Sequence, residues 1–147
     1  MRVLVQEAPF DLAEEAARFA KGEGASGAIV TFTGVVRDND AGTLSVMEIE
    51  HYPGMTEKAL REIAEQAVAR FDLQDALVIH RYGRLAPGEQ IMMVASAARH
   101  RRHAFEAAEF LMDYLKSRAP FWKREITAEG EAWVAAKDED EAALERW

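Results

Sequence analysis

The alternation of apolar and polar positions predicts a strand at the start of the chain and an amphipathic helix directly after it. Residues 2–6 form the predicted strand, and Asp11 is suited to cap a helix that runs to about Lys21, where two glycines end it. The apolar residues of this helix recur at helical spacing: Leu12, Ala16 and Phe19. The helix is therefore expected to bury one face.

A second strand is predicted over residues 27–37, where β-branched and apolar residues predominate and Gly34 marks a bulge or a close approach. Residues 38–42 have the composition of a turn. The apolar stretch over residues 44–52 is therefore expected to return beside this strand as the second half of a hairpin.

Two further helices and a second hairpin are predicted in the middle of the chain. A helical stripe covers residues 60–71, and residues 76–82 and 90–98 form the two strands of the hairpin. The third helix is predicted over about residues 104–118. Five of its apolar residues are expected to face inward: Phe105, Ala108, Leu111, Met112 and Leu115.

The last part of the chain combines a proline corner, two short strands and a charged tail. Pro120 prevents the third helix from continuing, and strands are predicted over residues 121–126 and 132–135. The tail over residues 137–146 is rich in charge and is expected to be helical, disordered or in contact with a partner. Helices and hairpins mix without strict β-α-β alternation, which predicts one α+β domain over residues 1–147 with a largely antiparallel sheet.

Composition and charge exclude several classes of protein. The 147 residues carry a formal net charge of -8, which argues against a nucleic-acid binder, and no apolar run is long enough to span a membrane. The N-terminus has no signal-peptide pattern, so a cytoplasmic protein is expected. The chain contains no cysteine, so it has no disulfide, thiolate metal site or cysteine nucleophile, and any sulfur that it handles must come from elsewhere.

The segment over residues 116–125 concentrates cations and aromatic residues around a proline corner. Lys116 ends a predicted helix and Lys123 lies on the next strand. The plain interpretation is that Lys116 complements the helix C-terminus and that Lys123 protects an edge strand. The functional interpretation is a pocket in which neighbouring cations lower the pKa of a lysine and attract a phosphate-bearing substrate. Composition alone favours the plain interpretation.

Basic residues also occur at two other places along the chain. Residues 99–103 follow a strand and precede a helix, so they are either a solvated turn or an anion site that uses His100, Arg101 and the helix N-terminus. Arg37, at the end of the second strand, is either a surface residue or a phosphate clamp. No accompanying motif supports a metal site at His100 and His103, and no cofactor is expected.

Several segments together resemble the large subunit of molybdopterin synthase, and the resemblance covers nearly the whole chain. The most specific part is the run Lys-x-x-Ala-Pro-Phe-Trp-Lys that begins at Lys116. The other matching segments follow in the order of the family: residues 27–37, 50–55, 80–83, 88–89, 100–105 and 133–134.

This resemblance implies an α/β hammerhead fold, a central homodimer and a heterotetramer with a small ubiquitin-like sulfur-carrier subunit. The carrier ends in Gly-Gly with a thiocarboxylate, and its tail enters a pocket of the large subunit. Two sulfur transfers convert cyclic pyranopterin monophosphate into molybdopterin. The resemblance thus implies a sulfurtransferase of molybdenum cofactor biosynthesis, and the partner's tail as the sulfur donor explains the missing cysteine.

The resemblance also assigns residues to the site. Lys116 and Lys123 match the two pocket lysines of the family, with Lys116 the more critical, as acid, base or stabiliser of negative charge. The expected substrate-binding residues are these two lysines with Val35, Val36, Arg37, His100, Arg101, Arg124 and Glu125. His100 and Arg101 are expected to come from the neighbouring subunit, while Phe32 and Met112 are expected to wall the pocket. Lys137 lies where the match is looser and is left out of the site.

Two other classes of function are open. A docking module could bind a Gly-Gly tail without chemistry, in which case neither lysine would be needed. An RNA-binding domain could use residues 99–103, although the acidic charge and the lack of an aromatic ribonucleoprotein motif count against it.

Overall fold

The strands divide into two four-stranded sheets, as described by a computed structural model for residues 1–22 and 24–147. Sheet A has the order β1, β4, β6 and β2, formed by Arg2–Gln6, Asp75–Arg81, Gln90–Ala98 and Ala28–Val35. Sheet B has the order β5, β3, β7 and β8, formed by Gly83–Leu85, Val46–His51, Phe121–Thr127 and Gly130–Trp133. Only β1 and β4 pair in parallel among the strands described, so the predicted α+β class with a largely antiparallel sheet is confirmed.

Four helices complete the described part of the chain, α1 to α4: Leu12–Ala20, Met55–Phe71, Arg101–Arg118 and Asp138–Ala143, with a 3-10 turn over Leu144–Arg146. The predicted cap of α1 is confirmed, because the Asp11 carboxylate accepts a hydrogen bond of 2.9 Å from the backbone N–H of Glu14. None of the helices described here is long and apolar enough to cross a membrane.

The core lies on both faces of sheet A. Helices α2 and α3 cover one face, and the inner face of sheet B joins the same cluster through Ile49 and Leu85. The short helix α1 packs Phe19 against Leu77 and Met93 on the other face. Alternation along the strands sends successive side chains to these two layers. The seam between the two sheets lies beside the C-terminal end of α3, because Phe121 of sheet B follows that end by three residues and stacks on His80 of sheet A.

The predicted hairpin between residues 27–37 and 44–52 is wrong. Strand β2 pairs with β6 in sheet A, whereas β3 pairs with β5 and β7 in sheet B. The turn residues instead form a loop between the sheets, in which the Asp38 carboxylate accepts hydrogen bonds from the N–H groups of Asn39 and Leu44. The second predicted hairpin is confirmed, since β4 and β6 are antiparallel neighbours.

Some predicted element boundaries also differ from the structure. Helix α3 begins at Arg101, one turn earlier than expected, and its buried stripe runs through Ala104, Ala107 and Leu111. Phe105 was expected inside but is 62% exposed, because it lies about 100° around the helix from Ala104. The last strand covers Gly130–Trp133 rather than residues 132–135, and the tail is a helix packed on α3.

Gly27 fits where no side chain can, between the start of β2 and the approach to α3. A Cβ atom at this position would lie 2.5 Å from the carbonyl oxygen of Arg99. We expect Gly27→Ala to lower the free energy of unfolding by about 1–3 kcal/mol, because the backbone before α3 must shift. Gly22→Ala is the matched control, since a Cβ atom at Gly22 would meet nothing within 4 Å. Urea unfolding measures both, and equal effects would contradict the packing argument.

Candidate functional site

Lys116 and Lys123 are brought together by the proline corner that joins α3 to β7. Lys116 lies in the last turn of α3, and β7 begins at Phe121, directly after Pro120. Burial lowers the pKa of Lys123 to about 8, and the charge of Lys116 contributes to the same shift. Lys116 is exposed and Lys123 is half-buried. The pair therefore combines an accessible ammonium with an amine that can exchange a proton near neutral pH.

Beneath the two lysines lies a layer of aromatic side chains from three strands. The ring of His80 on β4 stacks on Phe121 on β7, with 3.7 Å between ring centroids, and His51 on β3 lies 6.2 Å from the same ring. Tyr82 completes the layer at 4.4 Å from His51. Because Phe121 and Lys123 are two residues apart on one strand, this layer supports the strand face that carries Lys123.

His80 is neutral in this layer. Burial lowers its pKa to about 3, and the charges of Lys123 and Lys116 add to the shift, although the side chain hydrogen-bonds to a backbone carbonyl. Its Nδ1 lies 2.8 Å from the carbonyl oxygen of Arg81, so Nδ1 carries the proton. Sequence reasoning missed His80, His51 and Tyr82 as site residues. They occur within two of the segments that resemble the family, which was the available signal.

Arg37 lies at the same end of sheet A as the lysine pair. Strand β2 runs antiparallel to β6, with Val35 opposite Gln90, and His80 of β4 lies opposite Met92. These pairs place the C-terminal ends of β2 and β4 at the same end of the sheet. Arg37 and Val35 are exposed there, and their contact with a substrate stays a prediction.

The side chain of Val36 does not face the space beside Arg37 and the lysine pair. Its side chain is 2% exposed and belongs to the core. Its backbone N–H donates to the carbonyl of Glu89 and its carbonyl accepts from the N–H of Gly88, each at 2.8 Å. Of the two residues expected to wall the pocket, Phe32 is exposed on β2, whereas Met112 is half-buried and packs against the core.

Arg124 and Glu125 lie on opposite faces of β7. Glu125 shares the inner face with Lys123, because alternate residues of a strand point the same way. Arg124 points to the outer face, where its guanidinium donates to Glu48 and lies 3.1 Å from a carboxylate oxygen of Glu131. The structure thus places the Arg124 side chain on the other face from Lys123, in contact with carboxylates, and its part in substrate binding stays a prediction.

His100 and Arg101 lie at the far end of α3 from Lys116. His100 is the N-cap residue and Lys116 is sixteen residues further on, which corresponds to about 24 Å along the helix. Both basic side chains are exposed. Within one chain they therefore cannot share a small substrate with Lys116 and Lys123.

The histidines give no sign of a metal site. His100 and His103 have ring centroids 6.5 Å apart. Within residues 1–22 and 24–147, no group of three or more His, Asp or Glu side chains is arranged to hold a metal ion.

The interaction between the two lysines predicts a measurable change in titration. We expect Lys116→Met to raise the pKa of Lys123, because the substitution removes a repelling charge. The pH dependence of Lys123 acylation, followed by mass spectrometry, reports this pKa. Lys21→Met removes the same charge at the end of α1 and should leave the midpoint unchanged. An unchanged midpoint in Lys116→Met would show that the two charges do not interact.

Comparison with known proteins gives one consistent result. The profile of the family described as MoaE protein matches residues 5–118. The chain is 68% identical over its full length, and over all of the relative, to a protein of Cereibacter sphaeroides named molybdopterin synthase catalytic subunit. The structure matches the molybdopterin biosynthesis MoaE protein from Burkholderia ambifaria with a TM-score of 0.85 and 49% identity, covering 99% of this chain and 97% of that one. It also matches molybdopterin synthase from Staphylococcus aureus with a TM-score of 0.81 and 29% identity, covering 89% and 95%.

Proposed function

Because the chain belongs to the MoaE family of molybdopterin synthase catalytic subunits, we propose that Lys116 and Lys123 are the groups with which it transfers sulfur. The donor is the thiocarboxylated Gly-Gly terminus of a small ubiquitin-like carrier subunit, and the acceptor is cyclic pyranopterin monophosphate. Two transfers form the dithiolene of molybdopterin, and each carrier leaves as a carboxylate. The observation that carries this proposal is the juxtaposition of an exposed ammonium and a half-buried lysine whose pKa is lowered to about 8.

The two lysines have different tasks. Lys116 is exposed at the end of α3, where its ammonium stabilises the negative charge that develops on the thiocarboxylate carbonyl during attack. Lys123 is half-buried and has a pKa near neutral, which suits a group that gives and takes a proton. The aromatic layer of His80 and Phe121 supports Lys123 without adding charge, since His80 stays neutral.

The phosphate of the substrate is held by residues from two chains. Arg37 lies at the lysine end of sheet A, whereas His100 and Arg101 of the same chain are about 24 Å from Lys116 along α3. A second copy of the chain can supply His100 and Arg101 to the site. Arg37 of one chain and the α3 N-terminus of the other would then enclose the phosphate.

The edge of sheet A offers the surface for such a dimer. Strand β2 is the last strand of the sheet, and apolar side chains are exposed on both of its faces: Ile29 at 40%, Phe32 at 43% and Val35 at 49%. A long apolar edge strand is a template for pairing with another chain. Two-fold antiparallel pairing of β2 with β2 of a second copy would bring the Arg37 end of one chain to the α3 N-terminus of the other. This geometry supports the shared site and the homodimer within a heterotetramer.

The proposal is tested by reconstitution. The purified protein, a thiocarboxylated carrier and cyclic pyranopterin monophosphate are expected to yield molybdopterin, while a carrier that ends in an ordinary carboxylate is expected to yield none. If the protein binds the carrier and forms no product, the chain is a docking module and the lysines are structural charges.

A further inference from the structure

The last eleven residues described, 137–147, form a segment that we call the latch, and its last residue anchors it on two helices. The indole of Trp147 packs edge-on against Phe71 and Phe110, with ring centroids 5.7 and 5.4 Å away. Its Nε1 donates a hydrogen bond of 2.8 Å to Asp113, and its backbone carbonyl accepts one of 2.8 Å from Arg70. The anchor therefore joins the latch to both α2 and α3.

A second set of contacts ties the latch to the residues beside Lys116. The hydroxyl of Ser117 donates a hydrogen bond of 2.8 Å to the backbone carbonyl of Asp140. Arg118 donates two hydrogen bonds, of 2.8 and 2.9 Å, to the carboxylate of Glu141. Bidentate pairs of this kind fix orientation as well as distance. These contacts fix the position and orientation of the latch at the end of α3 that carries Lys116.

In this position of the latch, one acidic side chain of its helix is partly buried. Asp140 is half-buried, whereas the other acids of the helix, Asp138, Glu139 and Glu141, are exposed. The charged groups that act on Lys123 come from two elements: Lys116 from α3, and Asp140 and Lys137 from the latch. Asp140 favours the ammonium form of Lys123, and the two lysines oppose it. In the layer beneath, His80 is neutral, and the ring of His51 lies 6.2 Å from that of Phe121, on which His80 stacks.

We propose that the latch is part of the catalytic apparatus, with Asp140 as the positioning residue whose negative charge acts on Lys123 and Trp147 as the anchor that holds Asp140 in place. The proposal rests on the proposed function of Lys123 as a proton-transferring group. With the latch docked, the carboxylate of Asp140 offsets the repulsion from Lys116 and Lys137. Lys123 then remains protonated in a larger fraction of molecules and can donate its proton during the reaction.

The test compares two acids of the same helix. Asp140→Asn and Asp138→Asn each remove one negative charge, but only Asp140 is among the charges that act on Lys123. The pH midpoint of Lys123 acylation is expected to fall in Asp140→Asn, to rise in Lys137→Met and to stay unchanged in Asp138→Asn. The alkaline limb of the pH–rate profile for molybdopterin formation, where a proton donor loses its proton, should move in the same directions. Equal midpoints in the two Asn variants would overturn the proposal.

The anchor is tested with a double-mutant comparison. In the Trp147→Ala background, Asp140→Asn is expected to leave the acylation midpoint where it was, because Asp140 is no longer held beside Lys123. Trp147→Phe keeps an aromatic ring in the anchor and should preserve the effect of Asp140→Asn. An equal effect of Asp140→Asn with and without Trp147 would overturn the role of the anchor. Because acylation needs no turnover, this readout also decides the proposal if the protein makes no molybdopterin.

Discussion

Lys116→Ala is expected to lower the rate of molybdopterin formation by about 10²–10⁴-fold, which is the range for removing a group that stabilises charge or transfers a proton. The side chain is exposed at the end of α3, so it contributes little to folding, and the melting temperature should change slightly. A single-turnover assay with thiocarboxylated carrier measures the rate.

The control for this prediction separates charge from shape. Lys116→Arg keeps a cation that cannot give up its proton, so it should retain part of the rate if the role of Lys116 is electrostatic. Carrier binding by Lys116→Ala, measured by calorimetry, should be close to that of the parent protein. A variant that retains most of its activity would return Lys116 to the plain role of a helix-terminal cation.

Mixed dimers are expected to recover activity that neither parent variant has. Lys116→Ala and the double variant His100→Ala, Arg101→Ala should each lose about 10²-fold or more. In a dimer with one chain of each kind, one of the two sites combines Lys116 with His100 and Arg101 of the other chain. Equimolar mixing followed by subunit exchange should therefore restore about a quarter of the wild-type sites.

The control for the mixed dimers uses two variants of the same half-site. When Lys116→Ala is mixed with Lys123→Ala, every site lacks one of the two lysines, because both lysines of a site come from the same chain. No activity should return in this mixture. Recovery in neither mixture, with exchange verified by mass spectrometry, would place the whole site within one chain and contradict the dimer argument.

The elements of the fold were predictable because they follow local rules. The strand over Gln90–Ala98 has the bounds that the sequence predicted, and Asp11 caps α1 through the contact expected of an N-cap residue. The proximity of Lys116 and Lys123 was also predictable, since Pro120 ends the helix between them and the chain turns back. Such features depend on a few neighbouring residues.

The pairing of strands was not predictable in the same way. The turn composition of residues 38–42 suggested a hairpin, yet β2 and β3 belong to different sheets, because β6 and β7 offer each of them a partner from far along the chain. Long-range pairing of this kind leaves no local pattern. The stacking of His80 on Phe121 was missed for the same reason, since the two residues are brought together by separate sheets.

The direction of the Arg124 side chain was predictable from the alternation of residues along its strand. Successive residues of a strand point to opposite faces, so Lys123 and Arg124 could have been assigned to different faces from the sequence alone. Resemblance to the family placed both in one site. The structure agrees with the strand alternation, since Arg124 is paired with Glu48 and Glu131 on the outer face. A contribution of Arg124 to substrate binding stays a prediction.

The central claim is that this chain moves sulfur from a carrier's thiocarboxylate to a pterin, and the mass of the carrier tests it most directly. In a single turnover with excess enzyme, the carrier is expected to change from thiocarboxylate to carboxylate only when cyclic pyranopterin monophosphate is present, while the pterin gains the same amount of sulfur. If the carrier keeps its sulfur in the presence of both the enzyme and the pterin, the chain binds the carrier without catalysing the transfer.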